Sequence, residues 1–123
     1  MKPKSFDYKK PTTQLLGRWQ PWHDGHYALF LRAYEKTEQV CIMVRDTGGD
    51  LNNPFDFVWV KNRIVEELAK KGFHQYVHFI VMLVPNITHI TYGRDVGYKI
   101  EQEVFDDETH AISATKIRKE MGL

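Results

Sequence analysis

Cysteine is the scarcest reactive residue in this sequence, and its scarcity sets the first limits. A single residue, Cys41, excludes an internal disulfide and a cysteine-rich zinc site. It lies in the apolar run QVCIMV and reads as a buried thiol of a reducing compartment. An excess of either charge is also missing: 17 basic and 16 acidic residues leave a formal charge of +1. Generic coating of nucleic acid is therefore not expected, although a local patch can still hold a small anion. No apolar run reaches the length of a membrane span, and the opening MKPKSFDYKK lacks the apolar centre of a signal peptide. The sequence has no internal repeat and no low-complexity tract. These absences lead to the expectation of a soluble, cytoplasmic protein with neither nucleic acid nor membrane as partner.

What is present is enough for one core. The chain has 123 residues, 42% of them hydrophobic, the size of a single domain. Residues 1–11 are polar and basic and read as a flexible arm, leaving 12–123 as the domain. TTQLLGRW reads as a short strand stopped at Gln20-Pro21, with Asp24 as the expected N-cap of a helix through GHYALFLRAYEK. Ala28, Leu29, Leu31, Ala33 and Tyr34 mark the apolar side of that helix. QVCIMVRD is a second strand, ended by the turn signal TGGDLNNP. In FDFVWVKNRIVEELAKKG, Val58, Val60, Ile64, Val65 and Leu68 fit an amphipathic helix closed by Gly72. YVHFIVMLVP is the third strand; a glycine-bearing loop, a short helix at about 97–105, an apolar step at 110–112 and a last helix in SATKIRKEMG complete the reading.

Strands and helices that alternate, with nearly continuous apolar strands, specify an α/β domain with a parallel sheet and helices on both faces. Ligands in such sheets bind beyond the carboxyl ends of the strands. Both GRWQPWHDGH and SATKIRK fall at such places in this order of elements.

His23 and His26 stand at the start of the first helix, where free backbone amides and the positive end of the dipole favour an anion. Two imidazoles there can donate hydrogen bonds to phosphate oxygens as charge develops. Gly25 between them allows close approach to the backbone, and Pro21 keeps Gln20 extended. Taken singly, each feature has a plainer explanation. One histidine at a helix start is ordinarily a cap or surface residue, a zinc site lacks a third ligand of obvious spacing, and Trp19 and Trp22 read more readily as packing. The second segment changes this balance. In ISATKIRK, Ser113 is a good N-cap, Thr115 adds a hydroxyl, and Lys116, Arg118 and Lys119 add charge. By itself it is a capped helix with a basic face; two anion-binding segments in one small domain imply a polyphosphate ligand.

Gly17-Arg18-Trp19-Gln20-Pro21-Trp22-His23-Asp24-Gly25-His26 resembles the G-x-F-x-P-x-H-x-G-H signature of the HxGH nucleotidyltransferase superfamily. Ile112-Ser113-Ala114-Thr115-Lys116-Ile117-Arg118 resembles its second signature, I-S-x-T-x-I-R. The resemblance implies a Rossmann-like single compact domain that transfers a nucleotidyl group from a nucleoside triphosphate and releases pyrophosphate. It implies catalytic roles for His23, His26 and Arg118, with the histidines at the α-phosphorus and Thr115 and Arg118 on the β and γ phosphates. Gly17, Arg18, Trp19, Gln20 and Gly25, with Ile112 and Ser113, would form the rest of the nucleotide site. Mg2+ is the implied cofactor, carried mainly by the triphosphate, with no protein metal site.

The substrates are less sharply marked. Asn53-Pro54-Phe55 and Val84-Pro85-Asn86-Ile87 are similar to stretches of archaeal-type nicotinamide mononucleotide adenylyltransferases, which use ATP. Those enzymes are longer, with an insertion before the last signature. The short length resembles bacterial glycerol-3-phosphate cytidylyltransferases, but Glu108-Thr109-His110-Ala111 replaces their R-T-x-G. The leading expectation is a cytidylyltransferase that moves CMP from CTP to a small phosphate- or phosphonate-bearing acceptor. ATP-dependent adenylyl transfer is the alternative, and a non-catalytic nucleotide-binding domain is the alternative of another class. Arg94 and Asp95, between Gly93 and Gly97, are assigned to the nucleotide, and Lys61 and Arg63 more weakly to the acceptor. A homodimer is left open.

Overall fold

The computed structural model describes residues 5–94, 97–105 and 112–123. In chain order it contains β1 (Thr13–Gly17), α1 (Asp24–Thr37), β2 (Val40–Arg45), α2 (Phe57–Lys70), β3 (Phe79–Val84) and α3 (Ala114–Glu120). The strands form one parallel sheet in the order β1-β2-β3, with Leu15 opposite Ile42 and Ile42 opposite Val81. This is the α/β, Rossmann-like arrangement that the alternation of elements predicts.

Period-two burial builds the sheet's inner face. Val40, Ile42 and Val44 of β2 are buried, while Cys41, Met43 and Arg45 between them are half-buried. Val60, Ile64 and Leu68 recur every four residues along α2 and join Phe30 and Ala33 of α1 in the same core. Two details differ from the expected core. On α1, Phe30, outside the expected set, is buried with Ala33, while Ala28, Leu29, Leu31 and Tyr34 are half-buried. Val58 is 64% exposed in the first turn of α2. Both helices share one buried cluster with the strands, so α1 and α2 lie on the same side of the sheet, where the alternation of elements predicts helices on both faces. Consecutive crossovers of one hand in the order β1-β2-β3 bring this about. Gly72 follows α2 in the left-handed region at φ 89°, as the closing glycine requires.

Two further expectations differ from the structure. Residues 97–105 contain no helix. Lys36 of α1 pairs with both Glu101 and Glu103, two residues apart, which an extended segment presents on one side and a helix does not. The 110–112 step lies outside the described residues except for Ile112. Over its described part, the amino-terminal arm is tied to the body. The Phe6 amide donates to the Tyr76 carbonyl (2.7 Å), and the buried Gln39 side chain accepts from the Asp7 amide (3.1 Å) and donates to its carbonyl (2.8 Å).

Candidate active site

β1 ends at Gly17, and the chain then turns through a left-handed residue, Trp19 (φ 53°), and a cis Gln20-Pro21 peptide. Trp19 is held in that sparsely populated conformation from two sides. Its indole N–H donates to the Met43 carbonyl (2.9 Å), and its ring lies over Gly17, where a Cβ would come within 2.8 Å of it. Glycine at this position is therefore a packing requirement. Gln20 is buried and clamps the facing loop: its Nε2 donates to the Phe55 carbonyl (2.8 Å), and its Oε1 accepts from the Phe55 amide (2.9 Å). The Gln20 side chain is thus occupied as a structural clamp, a role that its place in the sequence did not reveal.

The helix start differs from the expectation in one informative way. The N-cap of α1 is His23, not Asp24, which is the first helical residue. His23 Nδ1 accepts from the Gly25 amide (3.0 Å), and His26 Nδ1 accepts from the His23 amide (3.2 Å). The histidines form a reciprocal capping box, the arrangement usually made by a hydroxyl residue and a glutamate. Their rings stack at 3.7 Å and 17°. Gly25 is needed because His23 folds back over it; a Cβ there would come within 2.8 Å of His23 Cε1. The Trp19 and Trp22 indoles wall His26, with centroids 4.8 and 5.5 Å from its ring.

This geometry fixes the chemistry of both rings. A nitrogen that accepts from a backbone amide carries no proton, so the neutral ring has its N–H at Nε2. Burial, with a smaller contribution from the neighbouring His23, lowers the pKa of His26 to about 3. His23 is also lowered, mainly by burial, with Asp24 opposing and Arg63 adding to the shift. At neutral pH each imidazole is uncharged and offers one donor, Nε2–H.

The second segment docks onto the first. Ser113 caps α3 by accepting from the Lys116 amide (3.1 Å). Arg118 donates through Nη1 to the Gln20 carbonyl (2.5 Å) and through Nη2 to Thr115 Oγ1 (3.3 Å). Ile112 approaches Gly25, with its Cβ 3.6 Å from where a glycine Cβ would lie. Residues 98 positions apart are thereby joined at the carboxyl end of β1.

A cavity of about 610 Å³ opens there. Gly17, Arg18, Trp19, Gln20, His26, Thr115 and Arg118 line it, together with Leu16, Leu29, Ala114, Arg45, Asn52 and Asn53. Three guanidinium groups and no carboxylate stand among its described lining residues, so its charge is complementary to an anion. Arg45, Asn52 and Asn53 were not assigned to the site from the sequence. Position at the end of β2 was the available signal for Arg45, and Asp50 explains the asparagines. Its carboxylate accepts from the Asn52 amide (2.9 Å) and the Asn53 amide (2.7 Å), turning that loop toward the cavity. A hydrogen bond from Asn53 Nδ2 (3.0 Å), together with those from the two amides, holds the Asp50 carboxyl below its usual range.

Other assigned residues lie apart from this cavity. His23 and Arg63 line a neighbouring recess of about 230 Å³ with Trp22, Asp24, Tyr27, Glu67, Lys71 and Ile117. Arg63 Nε donates to the Trp22 carbonyl (2.9 Å), which ties α2 to the first segment. Lys61 and the exposed Arg94 line neither space, and Ser113 acts as a cap rather than a wall. Asp95 lies outside the described residues, as do Glu108-Thr109-His110-Ala111. Among the described residues there is no cluster of metal-ligating side chains, and no helix is long and apolar enough to cross a membrane.

The fold and the cavity thus define an α/β domain with a cationic cleft at the ends of parallel strands. The chain is similar to a nicotinamide-nucleotide adenylyltransferase of Methanococcus aeolicus, 24% identical over 114 residues. The match covers 84% of this chain and 66% of the relative, so the chain spans slightly less than two thirds of that protein's length. No protein-family model and no solved structure matches the chain. The similarity supports a relationship of nucleotidyltransferase type.

Proposed function

We propose that the protein is a nucleotidyltransferase that transfers an adenylyl group from ATP to a mononucleotide of the nicotinamide type, releasing pyrophosphate. The observation that carries this reading is the meeting of His26, one ring of the stacked neutral histidine pair, with Thr115 and Arg118 at one cationic cavity. The activity in the relative's name favours adenylyl transfer over cytidylyl transfer, for which no observation speaks.

In the reaction, an oxygen of the acceptor's phosphate forms a bond to the α-phosphorus of ATP. The bond from that phosphorus to the bridging oxygen breaks, and the electron pair leaves with pyrophosphate. Little covalent work falls to the protein, which positions the reactants and stabilises charge. His26 offers Nε2–H to the charge that grows on the α-phosphoryl oxygens. A neutral donor suits this task, since it makes no ion pair with the ground-state triphosphate and gains most as charge develops. Arg118 and Thr115 hold the leaving phosphates. The cavity's guanidinium, amide, imidazole and hydroxyl groups suit a triphosphate that brings its own magnesium, whose charge would assist departure of pyrophosphate.

The test is direct. Purified protein with ATP, magnesium and nicotinamide mononucleotide should release pyrophosphate and form the dinucleotide. Faster turnover with CTP, or formation of a CMP adduct of a small phosphorylated acceptor, would return the assignment to the cytidylyl reading. Tight ATP binding without pyrophosphate release from any acceptor would mark a non-catalytic nucleotide-binding domain.

A further inference from the structure

We infer that Arg45, oriented by Asn86, is the acceptor-binding residue that grips the phosphate of the incoming mononucleotide. The inference rests on the nucleotidyl-transfer reading above.

Arg45 is the last residue of β2, where that strand delivers its carboxyl end to the cavity, and its side chain is half-buried in the cavity wall. Its Nε and Nη2 both donate to Asn86 Oδ1, at 3.2 and 2.8 Å. Asn86 follows the Pro85 that ends β3, and Val84 pairs with Arg45 in the sheet. Two adjacent strand ends therefore hold the guanidinium by one edge. Its other edge, Nη1–H and the second Nη2–H, has no protein partner among the described residues. An arginine already fixed along one edge loses little freedom when the other takes a phosphate in a bidentate fork.

The division of labour among the three cavity arginines points the same way. Arg118 belongs to α3 and is committed to Gln20 and Thr115, beside the leaving phosphates. Arg18 is exposed and makes no side-chain hydrogen bond among the described residues, its charge lying near the Asp50 carboxylate. In-line displacement requires the entering and leaving oxygens to lie on opposite sides of the phosphorus. The entering phosphate therefore needs a cation on a wall that α3 does not build, and the end of β2 supplies one. That cation also offsets the repulsion between an acceptor phosphate and a triphosphate.

The test measures ATP and nicotinamide mononucleotide binding separately by calorimetry on the full chain, followed by steady-state kinetics. Arg45→Ala should weaken mononucleotide binding roughly 10- to 100-fold while ATP binding changes less than about twofold. Arg45→Lys, which keeps the charge and the fold, should fall between the two. Asn86→Ala should raise the KM for the mononucleotide with kcat and the KM for ATP nearly unchanged, which a merely structural link between β2 and β3 would not produce. Equal losses for both ligands, or mononucleotide binding that survives in Arg45→Ala, would overturn the role of Arg45 while leaving the adenylyl reading intact. Wild-type protein that binds no mononucleotide and forms no dinucleotide removes both.

Discussion

The two helix starts at the cavity are built in opposite ways. The start of α1 is fixed from within: His23 caps it, His26 returns the bond, and buried indoles pack against the second ring. The start of α3 is fixed from outside. Its seven residues bury no side chain, and Arg118 holds it to the Gln20 carbonyl. The first helix start carries neutral donors with one available orientation; the second carries a cation on a tether. Ground-state binding is a natural task for the tethered cation, whereas a preorganised donor gains most when charge develops.

Disabling the rigid side should have the largest effect. His26→Ala is expected to reduce kcat about 100-fold while the KM for ATP changes little. Steady-state kinetics at saturating acceptor would show this split, and a raised KM with full turnover would contradict it.

Acid should distinguish the two sides next. His26 has a folded pKa of about 3, below its ordinary value in the unfolded chain. The unfolded state therefore takes up a proton first as the pH falls. The stability linked to this group is complete above pH ~6.5 and is lost progressively toward the folded value, at up to ~1.4 kcal/mol per pH unit. Urea unfolding at pH 6.5 and 5 should show a loss of roughly 2 kcal/mol that is missing in His26→Gln. Equal pH slopes for the two proteins would show that His26 titrates normally.

The smallest effect is expected at the tether. Arg118→Ala should weaken ATP binding roughly 10-fold and AMP binding hardly at all. The unfolding midpoint should stay nearly constant, because α3 buries no side chain. Parallel losses for ATP and AMP would place Arg118 away from the leaving phosphates.

The sequence exposed the parts of this arrangement that depend on short-range pattern. Alternation of apolar strands and helices predicts the parallel sheet, and β2 and β3 lie within the stretches that their apolar runs mark out. The Ser113 cap follows from a hydroxyl before a helical run. What escaped depends on partners distant in the chain. The Gln20 clamp is visible only once Phe55 is beside it, and the missing helix at 97–105 only once Lys36 has drawn two glutamates to one side. The misplaced N-cap has a different cause. Asp24 is the better capper by residue type, but the glycine two residues after His23 leaves room for an imidazole to take the position. Arg45 went unassigned because an arginine at the end of an apolar strand looks like ordinary solubilising charge until Asn86 fixes its edge.

The central claim is that the first helix start presents two uncharged imidazoles whose donors are at Nε2. Nitrogen-15 spectra of histidine-labelled protein test it most directly, with His23→Ala and His26→Ala variants providing the assignments. The structure predicts that at pH 6 the His26 ring is neutral with its proton at Nε2, that His23 titrates below the ordinary histidine value, and that added ATP and magnesium shift the His26 Nε2 resonance. An imidazolium signal for His26 at pH 6, or a proton at its Nδ1, would contradict the account.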